Sequence, residues 1–328
     1  MKNFSTQTAP VATSPDVGRR ASLRTSMQML VPFAALILLF IMFTVLKGQI
    51  FIAPSNLLVI VQQSVVLAIV ACGVTFVIVA GSIDLSTGSI VGLSGVITAL
   101  VGYEFGILGL VVGAAVGAFA GLINGLVFAY ARIPSFIVTL GMLQTARGLT
   151  ILLSGGGSKP MPSDGLLPSL GVMPGIIITG TVITLGAGYL FQFTVFGRRV
   201  RAIGGNERVA TLAGVPTRRV KIWVFILSGF LAGVGGAVLA ARLGTGSPIS
   251  GMGFELDVIA AVVIGGTPLT GGLGRISGTV VGALIISMLS NGLVLIGVGD
   301  AEQTMIKGVV LALAVFISLD RSKIGIIK

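Results

Sequence analysis

Residues 57–80 pass through 24 positions without a charged side chain, and nine further apolar stretches recur along the chain: 30–46, 89–102, 106–130, 134–154, 173–196, 222–241, 256–265, 277–298 and 304–319. About 20 apolar residues wound as a helix cross the hydrocarbon of a bilayer, where each backbone N–H and C=O has to be satisfied within the segment. The chain is therefore predicted to be an all-α polytopic membrane protein of about ten transmembrane helices. The third and eighth stretches, 89–102 and 256–265, fall short of that length and are bordered by Gly-rich turns. Both are expected to be broken or partly re-entrant.

Composition agrees with a membrane setting: 54% of residues are apolar and 9% charged, where soluble domains carry roughly a quarter charged residues. The net charge of +11 comes from scarce acids and from arginines beside apolar runs. Membrane topology leaves that pattern, so no nucleic-acid partner is expected. Histidine is absent, which removes the usual general base and the commonest metal ligand, and neither hydrolytic chemistry nor a metal site is expected. The lone cysteine, Cys72, allows no intramolecular disulfide.

Ten crossings with the N-terminus inside put 16 basic residues on the cytoplasmic side: Lys2, Arg19, Arg20, Arg24, Arg132, seven between 196 and 221, Arg275, Arg321, Lys323 and Lys328. Lys47, Lys159 and Arg242 fall outside, which fits the positive-inside rule. Residues 1–28 read as a disordered cytoplasmic tail, 29–321 as the transmembrane domain, and 322–328 as a second cytoplasmic tail.

Glycines at 109, 113, 117, 121 and 125 form a ridge that drifts slowly around the fourth span and lets neighbouring helices approach closely. Val116-Gly117-Ala118 before Asn124-Gly125-Leu126-Val127 is echoed by Val281-Gly282-Ala283 before Asn291-Gly292-Leu293-Val294. Five helices per half is an odd number, so the halves are expected to be inverted repeats.

Residues 196–221 are the only long polar segment inside the chain. Asn206 is placed to cap a short helix, Glu207 suits its positive start, and Gly214 and Pro216 stop it. Val209, Leu212 and Ala213 then form an apolar edge among arginines, and an edge of that kind calls for a partner.

Asp84, in the turn 81–88, is the only charge between Lys47 and Glu104; it either caps a half-helix or faces a watery path. The turn 265–272 reads as its counterpart in the second half. Arg147, after Gln144, has no acid in its own span and either snorkels outward or points into the bundle. Asn124, Asn291, Gln62 and Gln63 are in-span amides suited to interhelical hydrogen bonds. Asp84, Ser86, Asn124, Gln144, Arg147 and Asn291 are the candidate translocation-path residues. No lysine follows a glycine, so the chain has no GK[ST] phosphate loop.

Four stretches in this order, GSIDLSTGSIVGLSG (81–95), PSFIVTLGMLQTARGLTILLSGG (134–156), FGRRVRAIGGNERVATLAGVP (196–216) and GFELDVIAAVVIGGTPLTGGLGRISGTVVGALI (253–285), resemble the permease subunits of ATP-binding-cassette importers. Those importers carry ribose, xylose, arabinose and related monosaccharides, and the permeases sit in a branched-chain-amino-acid-permease-like superfamily. The family's turn falls on Gly81, Asp84, Leu85 and Ser86, and its central cytoplasmic loop on Gly205, Asn206, Glu207, Ala210, Gly214 and Pro216. The resemblance implies a non-enzymatic subunit of the bacterial inner membrane, importing a pentose, hexose or similar polyol. It also implies a cytoplasmic ATPase that binds ATP and Mg, a periplasmic sugar-binding protein and a second permease subunit, identical or not. No cofactor is expected in this chain. The coupling surface is expected on Asn206, Glu207, Val209, Ala210, Leu212 and Gly214. An ion-coupled secondary sugar transporter is the competing expectation, since short broken spans and inverted repeats suit that class too.

Overall fold

The structure is a computed structural model describing residues 15–318. The described chain is mostly helical, and its strands are confined to one two-stranded ribbon. In order it forms α1 (Pro15–Lys47), α2 (Gln49–Ile52), α3 (Pro54–Val79), α4 (Thr87–Phe105), α5 (Leu108–Ala131), α6 (Ser135–Ser154), β1 (Lys159–Pro160), α7 (Leu166–Ser169), α8 (Gly175–Phe193), α9 (Val195–Gly205), α10 (Glu207–Leu212), α11 (Thr217–Leu243), β2 (Thr245–Gly246), α12 (Phe254–Ile264), α13 (Ile276–Leu295) and α14 (Asp300–Ser318).

Seven of the described helices are long and apolar enough to cross a membrane: α3, α4, α5, α6, α8, α11 and α13. Of the other three stretches, the one in α12 is too short to cross as a helix, with 11 residues; the other two lie in α1 and α14. The third stretch is not broken, contrary to expectation. It belongs to α4, an uninterrupted helix of 19 residues that continues through Tyr103 and Glu104 past the end of the apolar run. α1 begins at Pro15, within the tail expected over 1–28. Proline suits a first helical position, and the arginine, alanine, leucine and methionine that follow are good helix formers. The remainder of that tail and the one at 322–328 lie outside the described residues.

The glycine ridge of α5 works as its drift requires. A Cβ at Gly109 or Gly113 would run into Gly102, Thr98 or Ser94 of α4, whereas one at Gly117, Gly121 or Gly125 would run into Gly229, Phe225 or Ile222 of α11. One helix thus touches two neighbours backbone to backbone, and Gly229 and Gly233 answer it from α11. Such contacts hold helices together where lipid supplies no hydrophobic drive between them.

The packing repeats. α5 lies on α11 as α13 lies on α3; α4 packs between α5 and α6, and α12 packs on α13 and α14; α4 meets α11 as α12 meets α3. Exchanging α3, α4, α5 and α6 with α11, α12, α13 and α14 preserves these neighbours, and Asn124 and Asn291 fall at matching places on α5 and α13. α1 and α8 do not obey the exchange, since α1 lies on α13 and α8 on α3. The same exchange corrects one expectation. Residues 81–86, between α3 and α4, correspond to residues 244–253, between α11 and α12, and not to 265–272.

That correspondence explains the short α12. Beyond β2 the chain runs back down the side of α4, with Gly246 against Gly95, Val96 and Ala99, Ser250 against Gly92, and Gly251 against Gly88. From Ala99 to Gly88 is about 16 Å at 1.5 Å per residue. α12 therefore begins deep in the bundle, after a descent in non-helical form.

Candidate functional site

Four polar regions account for the predicted residues. The first is the basic end, where α9 and α10 lie beside the loops between α3 and α4 and between α12 and α13. The Asn206 side-chain oxygen accepts from Val209 N–H at 3.1 Å, as a helix cap should. Gly214 takes φ +81°, a left-handed conformation that favours glycine at a helix end. Val209 is 59% and Leu212 82% exposed, while Ala210 is buried and anchors the helix to the bundle. Glu207 pairs with Lys221 at 2.6 Å, and the Lys221 ammonium lies 4.6 Å from the Phe128 ring centre. The apolar edge anticipated for α10 is thus held outward by a cap, a buried alanine and an ion pair.

Directly behind α10, three backbone segments meet with no side chains between them. Gly204 touches Val79 and Gly272, Gly205 touches Gly272, and Gly271 touches Gly81. Gly272 N–H donates to the Val79 carbonyl at 2.9 Å. The turns 81–88 and 265–272, which look alike in sequence, are neighbours clasped around the end of α9.

The second region is the buried network of Asp84, which is 1% exposed. Its Oδ1 accepts from Ser86 N–H at 3.0 Å and Ser86 Oγ at 2.6 Å, and its Oδ2 accepts from Ser228 Oγ at 2.9 Å. Asn124 Nδ2 donates to Ser86 Oγ at 2.9 Å. Asp84, Ser86 and Asn124 therefore tie α3, α4, α5 and α11 together, and Asp84 holds the turn before α4. Ser135 and Thr139 of α6 accept the N–H groups of Ile83 and Leu85 at 3.0 and 3.1 Å. Sequence gave no sign of these two, because hydroxyls in an apolar helix are commonplace.

The third region belongs to Arg147. Its Nη1 donates to the Pro248 carbonyl at 3.1 Å and the Ser250 carbonyl at 3.2 Å. The guanidinium points into the bundle and satisfies non-helical backbone of the descending linker. α6 thus serves both irregular stretches, with hydroxyls for residues 81–86 and a guanidinium for 244–253. Gln144 is exposed on α6 and joins neither network.

The fourth region surrounds Asn291. Its Nδ2 donates to Asn56 Oδ1 at 2.9 Å, and Asn56 Nδ2 donates to the Phe51 carbonyl at 2.8 Å. Behind this pair lies a cavity of about 400 Å³ whose wall includes Gln63, Asp257, Ser290, Asn291, Gln303 and Lys307. Lys307 donates to Asp257 at 2.9 Å, joining α14 to α12. No local pattern marks Asp257 as a candidate, since its partner lies 50 residues away on another helix. Among the described residues, no group of acids and cysteine could hold a metal ion.

Comparison with known proteins adds the lineage. Residues 56–319 match the family described as branched-chain amino acid transport system / permease component. The chain is 40% identical to the ribose import permease protein of Bacillus subtilis over 309 residues, covering 90% of this chain and 94% of that one. It is 38% identical to the L-arabinose ABC transporter permease protein of Azospirillum brasilense, covering 81% and 80%. With the xylose transport system permease protein of Escherichia coli it shares 32% identity, covering 89% and 91%. No solved structure matches. Taken with the helical bundle, the match over residues 56–319 shows that the chain belongs to this family of membrane permease components.

Proposed function

We propose that the chain is the membrane permease subunit of an ATP-driven monosaccharide importer, with a pentose, hexose or similar polyol as cargo. Three relatives named for pentoses, each matched over most of its length, support the cargo class. The observation that carries the ATP-driven mechanism is α10, a capped helix whose apolar edge is turned away from its own bundle. We assign that edge, through Val209 and Leu212 with Asn206, Glu207, Ala210 and Gly214 as its frame, to a groove of a cytoplasmic ATPase that binds ATP and Mg. The chain itself is a transport component, not an enzyme.

In this assignment the chain crosses the bacterial inner membrane ten times with both termini in the cytoplasm. α12 and its descending linker count as one crossing, and the exchangeable helices form inverted repeats. A periplasmic sugar-binding protein delivers cargo at the end carrying β1 and β2, and a second permease subunit completes the pathway. Of the predicted path residues, Asn291 lines the cavity of about 400 Å³; Asp84, Ser86, Asn124 and Arg147 brace irregular backbone.

The Asp257–Lys307 pair within the bundle is what an ion-coupled sugar carrier would use as a relay, so the two mechanisms need separating. Purification of tagged permease from native membranes should bring down an ATPase in fixed ratio, and pentose uptake should stop on ATP depletion while surviving collapse of the proton gradient. Uptake that follows the gradient, with no ATPase recovered, would establish the ion-coupled carrier instead.

A further inference from the structure

A half-open cavity lies between α3, α11, α12, α13 and α14. Its wall carries Gln63, Asp257, Ser290, Asn291, Gln303 and Lys307, and groups of this kind are rare in spans because lipid cannot solvate them. Asn291 is 8% exposed, yet its Oδ1 has no hydrogen-bond partner among the described residues. A buried amide oxygen in that position calls for a donor from outside the chain. Asp257 and Lys307 are joined to each other at 2.9 Å, which leaves the amides and hydroxyls, with the Arg242 guanidinium, to face the interior. Amides, hydroxyls and a guanidinium donor together suit the many hydroxyls of an uncharged polyhydroxylated molecule.

Size and approach agree. A volume of about 400 Å³ lies toward the lower end of small-molecule sites, roughly 300–1,000 Å³. A second, more open pocket of about 530 Å³, lined by Gln49, Ser55 and Asn56, adjoins it, and Val59 is common to both. The Asn56–Asn291 hydrogen bond stands between the two. Among the described residues the only aromatic ring in the cavity wall is Phe254, so little stacking is available to hold a sugar. That suits a place where cargo must enter and leave.

We propose that this cavity is a transit site for an uncharged polyol of pentose size, entered from the adjoining pocket past the Asn56–Asn291 bond. The proposal rests on the chain being a sugar permease. In it, Asn291 Oδ1 accepts a hydroxyl of the cargo, and the Asp257–Lys307 pair joins the two helices, α12 and α14, between which the cargo moves.

The test uses the complete importer in right-side-out vesicles. Cys72 is buried, so the parent should be inert to a charged, membrane-impermeant thiosulfonate. Ser290→Cys should react, and D-ribose, L-arabinose or D-xylose should slow its modification several-fold. L-leucine should not slow it, and Ser163→Cys on the exposed surface should be indifferent to all four. If Ser290→Cys does not reach the membrane, Ser287→Cys, one turn earlier on α13 and also in the cavity wall, answers the same question. Modification slowed only by L-leucine, or unaffected by any pentose, or absent altogether, overturns the proposal. Uptake of the same three sugars by the parent vesicles separates the two layers. Uptake without protection removes the transit site alone, whereas no uptake of any of them removes the sugar-permease assignment beneath it.

Discussion

Arg147 lies seven residues before the end of α6, about 10 Å along the helix axis, and gives its guanidinium to two carbonyls of the linker 244–253. Carbonyls at such depth would otherwise lack partners, and hydrogen bonds from a charged donor contribute about 1.5–3 kcal/mol each. Arg147→Leu should therefore insert normally but lower stability in detergent by about 2–4 kcal/mol, read as an earlier thermal transition. Arg147→Lys should recover part of that loss, because an ammonium is a compact donor without the planar fork. A leucine variant as stable as the parent but dead in transport would instead place Arg147 in the cargo path. From sequence alone the two positions offered for this arginine were equally open. What decides between them is a pair of carbonyls a hundred residues downstream, and no local pattern encodes that distance. The same holds for Ser135, Thr139 and Asp257, whose roles exist only once helices far apart in sequence are adjacent.

At the scale of elements, local chemistry was far more legible. The cap at Asn206, the positive φ of Gly214 and the exposed edge of α10 follow from neighbours within one or two turns, and the drift of the α5 glycines follows from helical geometry. In the third span the apolar run stops before the helix does, so its length in sequence understates the helix. The exposure of Leu212 makes a clean prediction possible. A surface substitution of this kind shifts fold stability by no more than about 0.5 kcal/mol, so Leu212→Asp should leave the permease intact and abundant while ATPase co-purification and sugar uptake both fall sharply. The glycines behind α10 test the other side of the coupling. A side chain at Gly204 would collide with the Val79 carbonyl, so Gly204→Ala should prise α9 from the end of α3 and uncouple transport while the ATPase stays bound. Leu212→Asp that transports like the parent, with its ATPase retained, would show that α10 is not the coupling element.

For the whole molecule the governing constraint is that four helices of one half and four of the other share one packing scheme. In the inverted arrangement proposed above, the two units place equivalent irregular stretches at opposite faces. Residues 81–86 then enter from the basic end and residues 244–253 from the end carrying β1 and β2, each descending before its helix begins. Asn124 falls near the first face and Asn291 near the second, so the buried Asp84 network and the polar cavity are the same place in the repeat put to different uses. One half is sealed with Ser86, Asp84 and Ser228, and the other is left open. This arrangement requires the segments around residues 163 and 199 to lie on opposite sides of the membrane, with the arginines inside. Ser163 and Arg199 are both exposed in the structure, so neither is shielded by its own chain. In intact spheroplasts Ser163→Cys should react with a membrane-impermeant maleimide, whereas Arg199→Cys should react only after the membrane is permeabilised. Labelling of Arg199→Cys in sealed spheroplasts, or both sites reacting from one side, would leave an even number of crossings between them and would dissolve the inverted repeat with it.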